Sequence, residues 1–208
     1  MPQKSPQRTV ADGYDQISRS YLDRFGASNV RRQWLLKLLD LTSPGDKILD
    51  LGCGPGIPVA SKLVESGRRV LGVDGSPRQV DLARSNVPGA EFVLSDMLEL
   101  KIERGSCDAV CAFYSVTHIP RGQHHSLFQK IFGWLKPGGF FLASLGATDT
   151  PSWTGEWMGA TMFFSHFNAE WNVDCLKKLG FELEAAQVMP QEDEDGEFLW
   201  VVARRPRI

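Results

Sequence analysis

The sequence predicts an α/β protein with a mostly parallel sheet and helices on both faces. Three observations carry that expectation. Short apolar runs of strand length alternate with segments of helical periodicity along most of the chain. A glycine-rich turn, Gly52-Cys53-Gly54-Pro55-Gly56, follows the first of those runs. The last two runs are joined by an acidic loop with no helix between them. Strands separated by helix-length segments join through right-handed crossovers and lie parallel, whereas the final pair is expected to be antiparallel.

Taken in order, apolar or aromatic residues at Val10, Tyr14, Ile17, Tyr21 and Phe25 recur at close to 3.6 residues, which predicts a helix over 10–25. Val30 to Leu41 repeats the pattern, with Trp34, Leu35, Leu38 and Leu39 on an apolar side, and Thr42-Ser43-Pro44-Gly45 ends it. Lys47 to Leu51 is the first strand. Ile57 to Ser66 reads as a helix closed by Gly67. Arg69 to Val73 is the second strand, after which Ser76 caps a helix with Pro77 at its first position. Glu91 to Leu94 and Cys107 to Tyr114 are strands, and Gln123 to Leu135 is a helix stopped by Pro137-Gly138-Gly139. Phe140 to Leu145 is the fifth strand. Asn168 to Leu179 is a helix with Gly180 as its stop, and Phe181 to Val188 and Phe198 to Ala203 complete the set.

A length of 208 residues fits one domain. Residues 1–44 supply helices over the site, 45–145 the ligand-binding core, 147–167 an aromatic insertion, and 168–208 the final helix and strand pair. The 23 basic and 25 acidic side chains leave a formal charge of −2, which argues against a chain built to grip nucleic acid or an anionic membrane. No apolar run approaches the ~20 residues needed to span a bilayer. Met1 to Val10 has no apolar core resembling a signal peptide, so a cytoplasmic location is expected. The acidic 191–197 run reads as a solvated loop. Cys53, Cys107, Cys111 and Cys175 form no CxxC pair and no His/Cys cluster of zinc-like spacing. On one strand Cys107 and Cys111 would lie roughly 13 Å apart. Reduced, buried cysteines and no metal site are expected.

The first strand ends Ile48-Leu49-Asp50-Leu51 and runs into the glycine turn. Glycines there let the chain turn sharply and let a ligand lie against the backbone. In such a sheet, ligands bind beyond the carboxyl ends of the strands. A dinucleotide site calls for G-x-G-x-x-G facing a pyrophosphate, but this turn is G-x-G-x-G, with Ile57 where the third glycine would stand. A carboxylate at Asp50 would repel a pyrophosphate and attract a cation. Asp74, 18 residues past Gly56 at the end of the second strand, suits a pair of ribose hydroxyls. Asp96, at the end of the third strand, suits an adenine amino group. Together they describe a ligand with an adenosine, a positive group and no phosphates.

The segments ILDLGCGPG (48–56), VLGVDGSP (70–77), FVLSDM (92–97), CDAVCAFYSVTHIP (107–120) and WLKPGGFFL (134–142) resemble, in order, those of class I S-adenosylmethionine-dependent methyltransferases. The resemblance covers about residues 45–145. It implies a Rossmann-like, seven-stranded, mostly parallel sheet with an antiparallel last strand, and S-adenosylmethionine as cofactor with S-adenosylhomocysteine as product. It also implies that Asp50 engages the methionine amino group and that Gly52, Cys53 and Gly54 line the amino-acid portion. Asp74 would take the ribose hydroxyls, with Gly75 and Ser76 beside the adenine. Asp96 and Met97 would bracket that ring, and Phe113, Tyr114 and Ser115 would close the site from the fourth strand. Tyr14 and Tyr21 resemble the YDxxxxxY opening of ubiquinone- and menaquinone-type methyltransferases, which places both near the cofactor.

Methyl transfer from a sulfonium needs the acceptor atom held in line with the S–CH₃ bond. An oxygen or nitrogen acceptor carrying a proton also calls for a base, and histidine is the natural candidate. His118, just past the fourth strand, is either that base or a lining residue, and His166 is a second candidate. His124 and His125 read as solvated helix residues. In the insertion, Trp153 and Trp157 are four apart, as are Met158 and Met162, so a helical turn would align each pair. With Phe163 they either cover an acceptor pocket or bury the insertion against the sheet. An aromatic, thioether-rich pocket favours a small, fairly apolar or aromatic acceptor, methylated on O or N, with carbon less favoured. Residues 147–208 carry 11 acidic against 5 basic side chains, and no Asn-Pro-Pro-Tyr-type motif follows the fourth strand, so a nucleic-acid substrate is disfavoured. Two alternatives stand beside this reading: a nicotinamide-dependent oxidoreductase on a related fold, and a non-catalytic binder of the same cofactor. The sequence is silent on oligomeric state.

Overall fold

The computed structural model describes residues 4–192 and 196–207. Helices α1 (Pro6–Phe25) and α2 (Asn29–Asp40) precede a sheet formed by β1 (Lys47–Leu51), β2 (Arg69–Asp74), β3 (Glu91–Leu94), β4 (Cys107–Ala112) and β5 (Leu135–Gly146). Between them run α3 (Val59–Glu65), α4 (Pro77–Asn86) and α5 (His124–Trp134). A hairpin, β6 (Thr150–Trp157) and β7 (Ala160–His166), is followed by α6 (Ala169–Lys178), β8 (Glu182–Pro190) and β9 (Glu197–Arg204).

The main sheet has seven strands in the order β3-β2-β1-β4-β5-β9-β8. β1 to β5 pair in parallel, and β9 is antiparallel to both β5 and β8. The winding direction therefore reverses between β1 and β4, and a crevice opens beyond their carboxyl ends. Alternation along β1 sends Leu49 and Leu51 into one core with Phe128 and Phe141, and Ile48 into the other with Trp34 and Trp200. Asp50 shares the Ile48 face, which is how a carboxylate comes to lie beneath α2. All four cysteines are buried and free. No helix among the described residues is long and apolar enough to cross a membrane.

The insertion is a β-hairpin and not the helical turn expected. A spacing of four fits the strand period of two as well as it fits a helix, so it could not discriminate. Pro151 and Gly155 disfavour a helix, while the Thr, Trp and Phe residues favour a strand. The hairpin closes through Met158 and Gly159, both left-handed at φ 54° and 82°, the geometry of a two-residue hairpin loop.

The N-terminal helix begins earlier than its apolar pattern, because Ser5 caps it and Pro6 starts it. It crosses the carboxyl edge of the sheet and rests on β7 at Gly13. A Cβ there would meet Met162 Sδ and the Thr161 carbonyl at 2.8 Å, so only glycine permits the approach. At its other flank, Asp15 accepts from Ser76 Oγ at 2.5 Å and from the Arg78 N–H at 3.2 Å, fastening α1 to the start of α4. His124 is buried, with Nε2 3.1 Å from the Ile119 carbonyl, whereas His125 is exposed. The expectation of two solvated histidines fails for His124 because it starts the buried face of α5. Of the acidic loop, residues 193–195 lie outside the described residues, as do residues 1–3 of the polar N-terminal segment.

Candidate functional site

Two cavities meet at the carboxyl edge of the sheet. The first, about 290 Å³, is bounded by Gly52 and Gly54 after β1, by Asp74, Gly75 and Ser76 after β2, and by Asp96 and Met97 after β3. Phe113, Tyr114 and Ser115 after β4 close one side, and α1 roofs it with Tyr14 and Tyr21. The second, about 340 Å³, lies between α1, the start of α2 and the hairpin. Tyr14, Tyr21, Tyr114 and His118 belong to the walls of both.

Local geometry explains the first cavity. Gly52 is left-handed at φ 73°, and a Cβ on it would lie 2.3 Å from Ser115 Cβ, so β1 and β4 converge only because that side chain is absent. Tyr114 is also left-handed, at φ 60°, so β4 ends before it, two residues earlier than the apolar run. Its ring packs on Phe198 and Trp200, 4.9 and 5.3 Å between centroids. Asp74 accepts the Gly54 N–H on Oδ2 and the Ser76 N–H on Oδ1, both at 2.9 Å. Each carboxylate oxygen offers two acceptor directions, so this bonding leaves capacity for a pair of hydroxyls. Burial raises the Asp74 carboxyl above its usual range, against the lowering by those N–H groups.

Asp50 stands behind Gly52 and Gly54, only 2% exposed. Oδ1 accepts from Cys111 Sγ at 3.4 Å, and Oδ2 is buried without a hydrogen-bond partner. Burial lifts its carboxyl to about 7. A buried acceptor with nothing to accept is costly, and a neighbouring cation relieves it. Cys53 points away from the cavity into the α2-side core, with Sγ 3.6 Å from the Gly54 carbonyl. Unpaired Asp50, the glycine approach and the half-used Asp74 fit an adenosine carrying a cationic amino-acid end.

At the shared wall, His118 Nδ1 lies 2.9 Å from the Phe163 carbonyl and Nε2 lies 2.9 Å from Tyr14 Oη. A carbonyl only accepts, so Nδ1 carries the proton and, in the neutral ring, Nε2 accepts from the tyrosine O–H. Burial lowers the imidazole to about 4, so the ring is neutral near pH 7. The second cavity is aromatic: Tyr14, Tyr21, Phe25, Trp157 and Phe164 all contribute to it. Phe25 and Trp157 stack at 5.9 Å, and Phe164 packs edge-on against Trp157 at 5.8 Å.

Of the insertion residues considered for the pocket, only Trp157 lines it. Trp153 is 42% exposed and packs on Phe164, and Met158 sits in the hairpin turn. Met162 is buried beneath Gly13, and Phe163 is buried and serves through its carbonyl. His166 lies outside both cavities, with Nδ1 2.7 Å from the Thr148 carbonyl at the base of the hairpin. Phe25, Phe164 and Arg31 were missed. Arg31 had a readable signal: with Val30, Trp34, Leu35 and Leu38 it occupies the buried stripe of α2, where a charge is out of place.

The fold and the residues at its switch point are those expected of an α/β protein that binds a nucleoside with a cationic end. The methyltransferase domain family matches residues 48–139. An uncharacterized methyltransferase of Synechocystis is 34% identical over 128 residues, covering 62% of this chain and 59% of that protein. The 24-methylenesterol C-methyltransferase 2 of Oryza sativa is 30% identical over 123 residues, covering 56% and 33%. The chain spans less than two thirds of the length of these curated relatives. The crystal structure of Burkholderia thailandensis 1,6-didemethyltoxoflavin-N1-methyltransferase, with 1,6-didemethyltoxoflavin and S-adenosylhomocysteine bound, shares the fold. Its TM-score is 0.76 at 19% identity, with 99% of this chain and 92% of that one covered. Residues 48–139 of the chain are thus similar to the methyltransferase domain family, and the fold is that of solved S-adenosylmethionine-dependent methyltransferases. The ubiquinone-type branch is not singled out among these relatives.

Proposed function

We propose that this protein transfers the methyl group of S-adenosylmethionine to oxygen or nitrogen, less favourably carbon, of a small, apolar or aromatic acceptor. The observation that carries the reading is the pair of cavities meeting at Tyr14, Tyr21, Tyr114 and His118. In this reading Asp74 holds the ribose, Asp96 and Met97 flank the adenine, and Asp50 faces the amino group. The bound cofactor supplies an already activated methyl on a sulfonium, so positioning is the larger part of what the chain must do.

The aromatic walls of the second cavity exclude water and present flat faces to an acceptor. His118 is a positioning residue rather than a base. A ring whose protonated form has a pKa of about 4 is a poor store for a proton taken near neutral pH, while its fixed tautomer holds the Tyr14 hydroxyl in place. The Oryza sativa sterol relative is named as a C-methyltransferase and the Burkholderia neighbour as an N-methyltransferase, which supports small acceptors without selecting the atom.

A fold neighbour described as a [4+2]-cyclase, TM-score 0.74 at 17% identity over 99% of this chain and 98% of that one, favours one second reading. In that reading this chain binds the cofactor without transferring its methyl group. The methyltransferase-domain match over residues 48–139 gives the nicotinamide alternative no support. Incubation with methyl-labelled cofactor and a panel of phenols, carboxylic acids and amines separates the two. Labelled product supports methyl transfer, whereas cofactor binding with no product from panel or cell extract supports the second reading.

A further inference from the structure

Arg31 is 6% exposed and lies in the wall of the second cavity. Nη1 donates to the Phe25 carbonyl and Nη2 to the Tyr21 hydroxyl, each at 3.1 Å. The guanidinium lies 4.9 Å from the Tyr114 ring centroid and 6.0 Å from that of Tyr21. Those partners are neutral. No carboxylate among the described residues comes within ion-pair distance of it. A buried cation left with neutral partners is strongly disfavoured, and three of the five guanidinium N–H bonds remain for another acceptor.

Asp50 mirrors this condition from the same side of the sheet. It feels the Arg31 charge, yet the two do not touch, and its Oδ2 has no partner. A buried acid lacking a cation thus stands behind the glycine turn of the first cavity, and a buried base lacking an anion lines the second. Glu192, the carboxylate in the second cavity wall, is taken up by the Asn29 N–H at 2.7 Å, at the start of α2.

We infer that Arg31 is a carboxylate-binding subsite at the junction of the two cavities, filled by the amino-acid end of the cofactor or by a carboxylate on the acceptor. The planar fork suits a carboxylate in two-point contact, and the tyrosine faces around it suit a flat, delocalised group. An ammonium on the acceptor is disfavoured, because it would bring a second cation against Arg31. The inference rests on the cofactor and acceptor readings of the two cavities.

The test compares ligands that differ only in the carboxylate, by calorimetry on the full chain. One arm sets S-adenosylhomocysteine against its decarboxylated form, which keeps the ammonium facing Asp50. The other sets 2-naphthoate against 2-naphthamide with S-adenosylhomocysteine saturating. Wild type is expected to prefer the acid at least tenfold in one arm, and Arg31→Gln to abolish that preference. The arm that responds identifies the source of the carboxylate. If Arg31→Gln does not fold by circular dichroism, Arg31→Lys carries the test. It keeps the charge, loses the fork, and is expected to lose at least threefold of the preference. No preference in either arm, or a preference that survives the substitution, overturns the inference while leaving cofactor binding intact. Failure of wild type to bind S-adenosylhomocysteine at all overturns the cofactor reading and the inference with it.

Discussion

Replacing Asp50 by Asn is expected to stabilise the ligand-free protein above neutral pH while weakening its hold on the cofactor. Asp50 is 2% exposed, and burial raises its carboxyl from 3.8 to about 7. The folded state then binds a proton that the unfolded state has released between about pH 4 and 7. Stability falls across that window as pH rises, and the loss is complete above it. A shift of roughly three units corresponds to about 4 kcal/mol. The asparagine resembles the protonated acid in shape and charge and carries no such penalty. The stability difference between variant and wild type is thus expected to grow from near zero at pH 4 to about 4 kcal/mol at pH 8. His118 and His124, both lowered to about 4 by burial, give an opposing slope below pH 6.5. That slope is common to both proteins and cancels in the difference. Urea unfolding at several pH values, without ligand, measures the effect. Saturating S-adenosylhomocysteine should shrink the difference at pH 8, because its ammonium compensates the wild-type carboxylate. A difference independent of pH, or a variant less stable than wild type at pH 8, would refute the account of Asp50 as an uncompensated buried charge.

Other outcomes follow from the same geometry. Asp74→Ala is expected to weaken S-adenosylhomocysteine binding by about 1–3 kcal/mol through lost charge-assisted hydrogen bonds, and unchanged affinity in calorimetry of the folded variant would displace the ribose from Asp74. His118→Ala should lower turnover more than cofactor affinity, and wild-type turnover should show no His118 inflection between pH 5.5 and 8, since that ring stays neutral there. Such an inflection, absent in the variant, would restore it as a base. Asp15→Ala should speed amide hydrogen exchange in α1 while leaving the central strands protected, because it removes the tie to Ser76 and Arg78. Met158→Gly, at a left-handed position, should leave the hairpin intact and raise stability by about 1 kcal/mol in thermal melts.

The sheet was legible because each βα unit of the core carries its own punctuation. Gly67 ends α3, Ser76 and Pro77 open α4, and parallel pairing follows from the helix-length crossovers, with the last pair antiparallel because it lacks a helix. One wall of the first cavity was legible for the same local reason: Asp74 and Asp96 sit at or just past strand ends, where a short motif fixes position. The second cavity was not. Its walls come from α1, α2, the hairpin and β9, elements far apart in sequence, so no window holds the pattern. Trp157 was found by composition, but Met162 and Phe163 share that composition and point into the packing. Period alone could not tell a lid helix from a hairpin. Arg31 betrayed itself only by standing on an apolar stripe.

The fastening of α1 has a kinetic meaning. This one helix roofs the first cavity and also walls the aromatic one, and it is tied at Gly13 to the hairpin and at Asp15 to α4. Outward movement of α1 would release both ties and unroof both chambers together. In the proposed reaction, loading of the donor and admission of the acceptor would both then depend on the position of one peripheral helix.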